Sequence, residues 1–259
     1  MRRTLMLVVL VLLTATGAGA QFVAPGGSFP VVANLPGLNN TDWRTDVSVV
    51  NLAATETSIA LLLQPEIKNG VPAFEPVIVD SVNIAAGAQL TMRNIVETLF
   101  GLSNTKGALS IFSNDGAPLV MSARIYTYGD NGGSFGQNVE GLLVANDAWT
   151  PGIAHDDFYR TNIGIYLPFD PQPGEPVRFA IRVYKNDGTE VGSGTIIFND
   201  AGVQQLSLSA FGVATLLDGY VEFDCLDPTV SFFAYASRVD QVSGDAVFRP
   251  ARGRLSDLP

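Results

Sequence analysis

Two short stretches of this chain carry nearly the same phrase: "DWRTDVSVV" at residues 42–50 and "FYRTNIGIY" at residues 158–166. Each has an aromatic residue, then Arg-Thr, then Asp or Asn, then apolar residues at alternate positions. A period of two is the pattern of a β-strand with one buried face. We therefore expect Val47 in the first stretch and Ile163 in the second to face a hydrophobic core.

The similarity extends along the chain in the same order. "PGLNNTDWRTDV" from Pro36 matches "PGIAHDDFYRTNI" from Pro151, and "SARIY" from Ser122 matches "ASRVD" from Ala236. Further matches, such as "GALSIFS" with "GYVEFDC", keep the offset between 111 and 116 residues. This pattern predicts two copies of one module.

Each copy has about 110 residues with short alternating strands between turn signals, which resembles the immunoglobulin-like or fibronectin-III-like β-sandwich modules of exported bacterial proteins. The resemblance implies an all-β fold of two tandem β-sandwich (Ig-like) domains that arose by internal duplication. Periodicity leaves a small closed barrel open as the alternative. The predicted divisions are a signal peptide at 1–20, an extension at 21–27, repeat 1 at 28–142, repeat 2 at 143–252 and a tail at 253–259.

Two local patterns refine this prediction. "KNDG" at residues 185–188 follows an alternating strand and supplies the residues that a tight hairpin turn requires. "NIVETLFGL" at residues 94–102 predicts a short helix with Asn94 as its N-cap and Gly101 near its end.

The first twenty residues have the order of a secretory signal peptide. Arg2 and Arg3 are followed by the apolar run "LMLVVLVLL" and by the small residues "AGA", so cleavage is expected near Ala20. No later apolar run is long enough to span a membrane, and we expect a secreted, periplasmic or extracellular protein without a membrane span in the mature chain.

Charge and cysteine content limit the possible partners. The chain has 15 basic and 25 acidic residues, for a net charge of −10, and without Arg2 and Arg3 this becomes −12. An acidic chain without a basic stripe predicts no binding to nucleic acid. Cys225 is the single cysteine, so no intrachain disulfide can form.

Residue types suited to catalysis are sparse. His155 is the single histidine, and no phosphate-binding or dinucleotide-binding loop is recognisable. "YGDNGGSFG" at residues 128–136 offers Asp130 and Asn131 but lacks the spacing of a calcium loop. We predict no catalytic residue, no cofactor and no metal site.

The arginines form the more distinctive polar set. Arg44 matches Arg160, and Arg124 matches Arg238; strand parity predicts that all four face away from the module core. Tyr126 and Tyr128 are expected to share the face of Arg124. An outer arginine can grip a ligand or can pack its stem on the sheet. The candidate ligand or interface residues are Arg44, Arg124, Tyr126, Tyr128, Arg160 and Arg238.

Other aromatic residues are expected to pack at the module ends or in the linker. These are Trp43, Trp149, Phe158 and Tyr159. In a sandwich, such rings more often close an open end than bind a ligand.

The sequence thus predicts a non-catalytic exported protein that has an interaction or structural role at the cell exterior, with an unknown protein or glycan as partner. One alternative is a carbohydrate-binding module that uses exposed aromatic rings. The other is a secreted hydrolase that uses two carboxylates on either side of a cleft.

Overall fold

The computed structural model of the protein describes residues 23–37, 41–129 and 132–254. The predicted signal peptide lies outside the described residues, as do Asp130 and Asn131 of the glycine-rich turn and the last five residues of the tail.

The described part of the first half contains ten strands and one helical turn. The strands are β1 (Gly26–Pro36), β2 (Asp42–Asn51), β3 (Thr57–Pro65), β4 (Ile67–Lys68), β5 (Val71–Pro72), β6 (Val77–Ile84), β7 (Gln89–Met92), β8 (Thr105–Ser113), β9 (Leu119–Tyr128) and β10 (Ser134–Val139). The helical turn α1 is Ile95–Thr98, as the sequence predicts, although the Asn94 side chain makes no capping hydrogen bond to the backbone.

The second half contains ten further strands among the described residues. They are β11 (Leu143–Ala145), β12 (Asp147–His155), β13 (Tyr159–Leu167), β14 (Val177–Lys185), β15 (Glu190–Phe198), β16 (Gly202–Ser207), β17 (Leu216–Cys225), β18 (Ser231–Asp240), β19 (Ala246–Pro250) and β20 (Arg252–Gly253). A 3₁₀ turn lies at Leu208–Phe211. The predicted hairpin after β14 is confirmed, since Gly188 has φ 83° and Lys185 N–H donates to the carbonyl of Thr189 at 2.9 Å.

The first half is a sandwich of two antiparallel layers. Sheet A has the order β7-β2-β9-β10, and sheet B has the order β1-β8-β3-β6. Only two residue pairs at the β1–β2 hairpin, Leu35 with Trp43 and Pro36 with Asp42, join the layers. Alternate apolar residues from both sheets meet in one core that contains Val47.

The second half has the same pairing scheme. Sheet C has the order β16-β13-β18, with β19 and β11 both beside β18, and sheet D has the order β12-β17-β14-β15, with β20 beside β12. The four long strands of sheet A therefore have counterparts in sheet C, and those of sheet B in sheet D, whereas β11 and β20 have no counterpart in the first half. Ile163 lies fully buried in a second apolar core, separate from the one that holds Val47. The predicted all-β sandwich architecture is confirmed at this level.

The Thr of the repeated phrase ties the two layers of each sandwich together. Thr45 is fully buried, and its hydroxyl accepts from Ala33 N–H at 2.7 Å and donates to the Ala33 carbonyl at 3.0 Å. Thr161 is also fully buried and donates to the Ala154 carbonyl at 2.5 Å. Ala33 lies in sheet B and Ala154 in sheet D, so each bond links the second strand to the first strand of the opposite layer. A buried backbone group without a partner is costly, which explains why Thr recurs.

Strand pairing corrects the sequence comparison near the end of each half. Val47 lies opposite Ala123, and Ile163 lies opposite Ala236. Ala236 therefore corresponds to Ala123, whereas the match of "SARIY" with "ASRVD" aligns it with Ser122. That alignment is wrong by one residue.

The first strands require a similar correction. Both β1 and β12 carry a bulge at a proline, between Phe29 and Val32 and again between Pro151 and Ile153. Pro151 therefore corresponds to Pro30, and the sequence match that pairs it with Pro36 is wrong. Bulges shift the register by one residue and are hard to place from sequence.

The two sandwiches pack face to face. The outer face of sheet B contacts the outer face of sheet C, which gives four stacked layers in the order A, B, C, D. At the centre, the Tyr166 hydroxyl donates to Oε1 of Gln64 and lies 2.9 Å from the hydroxyl of Ser110, and Nε2 of Gln64 donates to the Pro168 carbonyl at 3.3 Å. Phe233 stacks on the Tyr166 ring at 5.4 Å between centroids.

A buried charge stands beside this contact. Glu66 is 4% exposed and lies 2.9 Å from Lys106 Nζ, which also donates to Gln205 of sheet C at 3.1 Å. A buried carboxylate is tolerated only when it is paired, and removal of one partner is strongly destabilising. The ion pair lies within the first half, and the hydrogen bond from Lys106 to Gln205 connects it to the second.

Candidate functional site

Two sheet faces are left uncovered by the stacking of the four layers, the outer face of sheet A and the outer face of sheet D. On sheet A, Arg44 and Arg124 point outward as predicted, because their neighbours along β2 and β9 alternate into the core. We name the surface formed by Arg44, Asp46, Arg124, Tyr126 and Tyr128 the Arg–Tyr face.

The Arg–Tyr face is held together by its own contacts. Arg44 pairs with the Asp42 carboxylate at 2.6 Å, and the Arg124 guanidinium lies 5.3 Å from the centre of the Tyr126 ring. Tyr126 donates to Asp46 at 3.2 Å. Tyr126 is on the predicted face but is only 6% exposed. Burial, together with the nearby Asp46 carboxylate, raises the pKa of Tyr126 to about 12. Of the two tyrosines, Tyr128 is the exposed one.

The structure separates Arg160 and Arg238 from this arrangement. Arg160 lies on the outer side of sheet C, where burial lowers its pKa. Arg238 lies opposite the buried Thr161 and so points to the core side of sheet C. The prediction that Arg238 faces away from the core is therefore wrong, because a shift of one residue moves a side chain to the opposite face of its sheet.

The four aromatic residues predicted to pack at module ends or in the linker have different outcomes. Trp43 closes an end of the first sandwich and makes an edge contact with Phe135 at 6.3 Å. Tyr159 lies under the Arg238 guanidinium at 5.0 Å. Phe158 is 66% exposed, and Trp149 lies on the outer face of sheet D, so the packing prediction is wrong for these two.

Trp149 belongs to a surface that the sequence did not single out. Across the outer face of sheet D, Trp149 lies opposite Glu222, and Glu222 lies opposite Arg182. In the next row, Tyr184 and Tyr220 stack at 4.9 Å with 19° between their planes. We name the surface formed by Asp147, Trp149, Arg182, Tyr184, Tyr220, Glu222, Asp224 and Arg254 the Trp–Tyr face.

Arg182 organises the centre of the Trp–Tyr face. Its Nη1 lies 3.1 Å from Glu222 and its Nη2 lies 3.1 Å from Asp224, while the Tyr184 hydroxyl donates to Glu222 at 3.0 Å. Hydrogen bonding to Glu222 raises the pKa of Arg182. One guanidinium thus holds two carboxylates in place through charge-assisted hydrogen bonds.

The third carboxylate of this face is Asp147, which is not one of the two that Arg182 binds. Burial raises the pKa of Asp147, and the neighbouring Asp224 charge adds to the effect. Arg254 approaches Asp147 at 3.7 Å and lies 5.2 Å from the centre of the Trp149 ring. The face therefore combines aromatic rings, fixed carboxylates and arginine donors.

Part of this surface could have been found from the sequence. The alternation in "VRFAIRVYK" places Arg182 and Tyr184 on one face of β14. What was missing is the pairing of β14 with β17 and of β17 with β12, because no local pattern specifies which strands are neighbours.

Groups suited to proton transfer are limited in the described part. Nδ1 of His155 accepts the Thr161 N–H at 3.4 Å, and Nε2 lies 3.4 Å from the Ser209 hydroxyl. In the neutral ring this arrangement corresponds to a proton on Nε2, which then faces Ser209 as a donor. Cys225 is buried, and burial raises the pKa of its thiol to about 11. Within residues 23–37, 41–129 and 132–254, no three His, Cys, Asp or Glu side chains are grouped to hold a metal ion.

No protein-family model matches the chain, and a search of the curated proteins found no match. In the part of the chain that the structure describes, no helix has the length and apolar character needed to cross a membrane.

Proposed function

We propose that this chain is an exported, non-catalytic protein with an interaction or structural role at the cell exterior, built from two Ig-like sandwich modules that arose by internal duplication. The correspondence of the long strands in the two halves supports the duplication. The order of charged, apolar and small residues in the first twenty positions supports export.

The Ig-like character of the modules lies in their size and two-layer design. An immunoglobulin sandwich pairs its first strand with its second in one sheet. Here the main partner of the first strand is the sixth long strand of its half, since β1 pairs with β8 and β12 with β17. The modules are therefore proposed as a topological variant of that sandwich.

The observation that carries the interaction role is the fixed four-layer body with two uncovered faces. The buried Tyr166–Gln64–Ser110 group and the hydrogen bond from Lys106 to Gln205 join the two halves. Residues that stay positioned before binding lose less conformational freedom when a partner arrives. The Arg–Tyr and Trp–Tyr faces, each with internally paired arginines, have this property.

Carbohydrate recognition at the Trp–Tyr face is the second candidate. Trp149 offers a large ring on an open face beside Asp147 and Glu222, and sugars are bound by rings with polar neighbours. Tyr184 and Tyr220 stack on each other, so their facing sides are covered. Trp149 is the remaining ring, and a sugar bound there would share it with the Arg254 guanidinium, which lies 5.2 Å from the ring centre.

Asp147 and Asp224 are two carboxylates that lie opposite each other, as a hydrolase of the second alternative would need. Asp224 is ion-paired with Arg182, and both acids lie on an open sheet face. These features favour a positioned ion-pair surface over general acid catalysis.

Binding assays with face-specific variants test the proposal. The labelled mature chain is applied to intact cells of its source organism and to a glycan array, alongside the variants Trp149→Ala with Tyr220→Ala and Arg44→Ala with Tyr128→Ala. A Phe158→Ser variant in an exposed loop is the control. We expect saturable binding that one face variant abolishes and the control retains. Absence of saturable binding, or equal binding by all variants, would contradict the proposal. Glycan signals that are lost in the variant with Trp149→Ala and Tyr220→Ala, and kept in the other two, would support the second candidate.

A further inference from the structure

One corner of each sandwich is built from four positions that correspond by strand pairing but differ in chemistry. In the first half, all four are apolar residues of the core. In the second half, two are arginines, one is a glycine and one is a threonine. The corresponding pairs are Phe29 and Thr150, Val31 and Gly152, Ile125 and Arg238, and Val139 and Arg249.

The correspondence follows from the register of neighbouring strands. Val139 lies opposite Ala123, and Arg249 lies opposite Ala236, the residue that corresponds to Ala123. The bulged segments of β1 and β12 match in the same way, since each has a proline between the positions that pair with β8 or β17. An apolar corner in one half is thus replaced by a polar one in the other.

Both guanidinium groups of the polar corner lie against the same residue. Nη1 of Arg238 donates to the Gly152 carbonyl at 3.4 Å. A Cβ placed on Gly152 would lie 3.1 Å from Cζ and Nη1 of Arg249. Gly152 sits in the β12 bulge with φ 71°, a conformation that favours glycine and lets the backbone come close to both side chains.

Neither arginine has a carboxylate within ion-pair distance among the described residues. The acidic residues nearest to them in sequence accept hydrogen bonds from nearby backbone groups: Asp240 from the N–H groups of Val242 and Ser243, and Asp245 from the N–H of Ala246.

Two buried polar atoms at this corner also lack a partner. They are Nε of Arg249 and the hydroxyl oxygen of Thr150, whose residue is fully buried. A buried donor or acceptor without a partner costs about 1–3 kcal/mol, and two like charges close together add repulsion. An anion between the arginines would remove both costs.

We propose that the corner formed by Thr150, Gly152, Arg238 and Arg249 binds an oxyanion group, such as a phosphate, sulfate or carboxylate of a ligand. The planar guanidinium fork matches the oxygen spacing of these groups. The site is separate from the Arg–Tyr and Trp–Tyr faces, and it stands whether or not those faces bind a partner.

Titration of the full mature chain tests the site directly. Inorganic phosphate, sulfate and glucuronate are added separately while NMR follows the Nε–Hε signals of the arginines, with chloride at matched ionic strength as the reference. We expect the Arg249 signal to shift saturably with at least one of the three anions. The anion that binds most tightly shows whether the site prefers a phosphate, a sulfate or a carboxylate group.

A double variant supplies the matched comparison. Arg238→Ile with Arg249→Val gives the second half the residues of the first half at these positions, so the corner can pack as an apolar one. Because this variant lacks the Arg249 signal, the backbone amide signals of Thr150 and Gly152 report binding in all the proteins compared. We expect binding to weaken at least about tenfold in the double variant and to be unchanged in Arg178→Ile, an exposed arginine on sheet D. Equal binding by a folded double variant would overturn the proposal. So would the absence of any Arg249 shift in the wild-type chain at about 50 mM anion, a result that does not depend on how the variant folds.

Discussion

Strands β2 and β13 carry the same Arg-Thr phrase, yet their outer sides meet different surroundings. Ser48 of β2 lies on the uncovered side of sheet A, where its hydroxyl is 3.0 Å from that of Thr91. The corresponding residue of β13 is Gly164, and the ring of Tyr235 lies over it and packs against the first sandwich. The inner sides agree because each strand faces an equivalent core. The residues on the outer side of each strand, and not the repeated phrase, therefore differ according to how the two halves pack against each other.

The largest effect is expected where the outer sides differ most. A Cβ on Gly164 would collide with the Tyr235 ring, so Gly164→Val forces that ring out of the contact between the sandwiches. We expect a loss of about 3 kcal/mol in the free energy of unfolding. Ser48→Val is the matched control and should change it by less than about 0.5 kcal/mol. Urea denaturation followed by tryptophan fluorescence measures both, and equal losses would show that the outer side of β13 is not covered.

A smaller effect is expected at the shared threonine. Thr45→Val removes two hydrogen bonds to Ala33, and Thr161→Val removes one bond to Ala154. We expect losses of about 2 and about 1 kcal/mol, since each buried backbone group left without a partner carries its own cost. The same denaturation experiment compares them. A negligible loss in both variants would mean that the threonine does not link the layers.

The smallest effect is expected in how the free energy of unfolding depends on pH, through two acidic residues of the second half. The folded-state pKa of Asp147 is raised, so its contribution to stability is full below the ordinary pKa of aspartate and is lost as the pH rises through the folded value. Asp147→Asn should therefore increase stability at pH 7, by roughly 0.5 kcal/mol because the group is partly exposed to solvent.

Asp187 serves as the control, because its pKa is shifted in the opposite direction to that of Asp147. Hydrogen bonds from Thr189 lower its pKa, so its contribution is present above the ordinary pKa and is lost as the pH falls. Asp187→Asn should therefore decrease stability at pH 7. Thermal unfolding between pH 3 and pH 8 compares the two variants, and a shift of the same sign in both would contradict the assigned environments.

The sequence was sufficient for the features that depend on local alternation. Val47 and Ile163 are buried in separate cores, and Arg44 and Arg124 lie on the outer face, because a period of two fixes the faces of a strand once it forms. The sequence was insufficient at Arg238. The residues of "ASRVD" do not show that the register of β18 differs by one residue from its alignment with "SARIY".

The Trp–Tyr face and the contact between the sandwiches could not be predicted for a related reason. Both depend on which strands are neighbours and on which sheet faces become covered. Trp149 comes together with Glu222 through a pairing across about 73 residues, and Tyr166 meets Ser110 of the other half. Such contacts are set by the packing of whole layers.

If the two separate sandwiches share one strand plan, β9 and β18 have equivalent registers against β2 and β13. Interstrand nuclear Overhauser contacts across β2–β9 and β13–β18 measure both registers. We expect Val47 opposite Ala123 and Ile163 opposite Ala236. Contacts that place Ile163 opposite Ser237, or that join Val47 and Ile163 in one core, would show that the two halves do not share this plan.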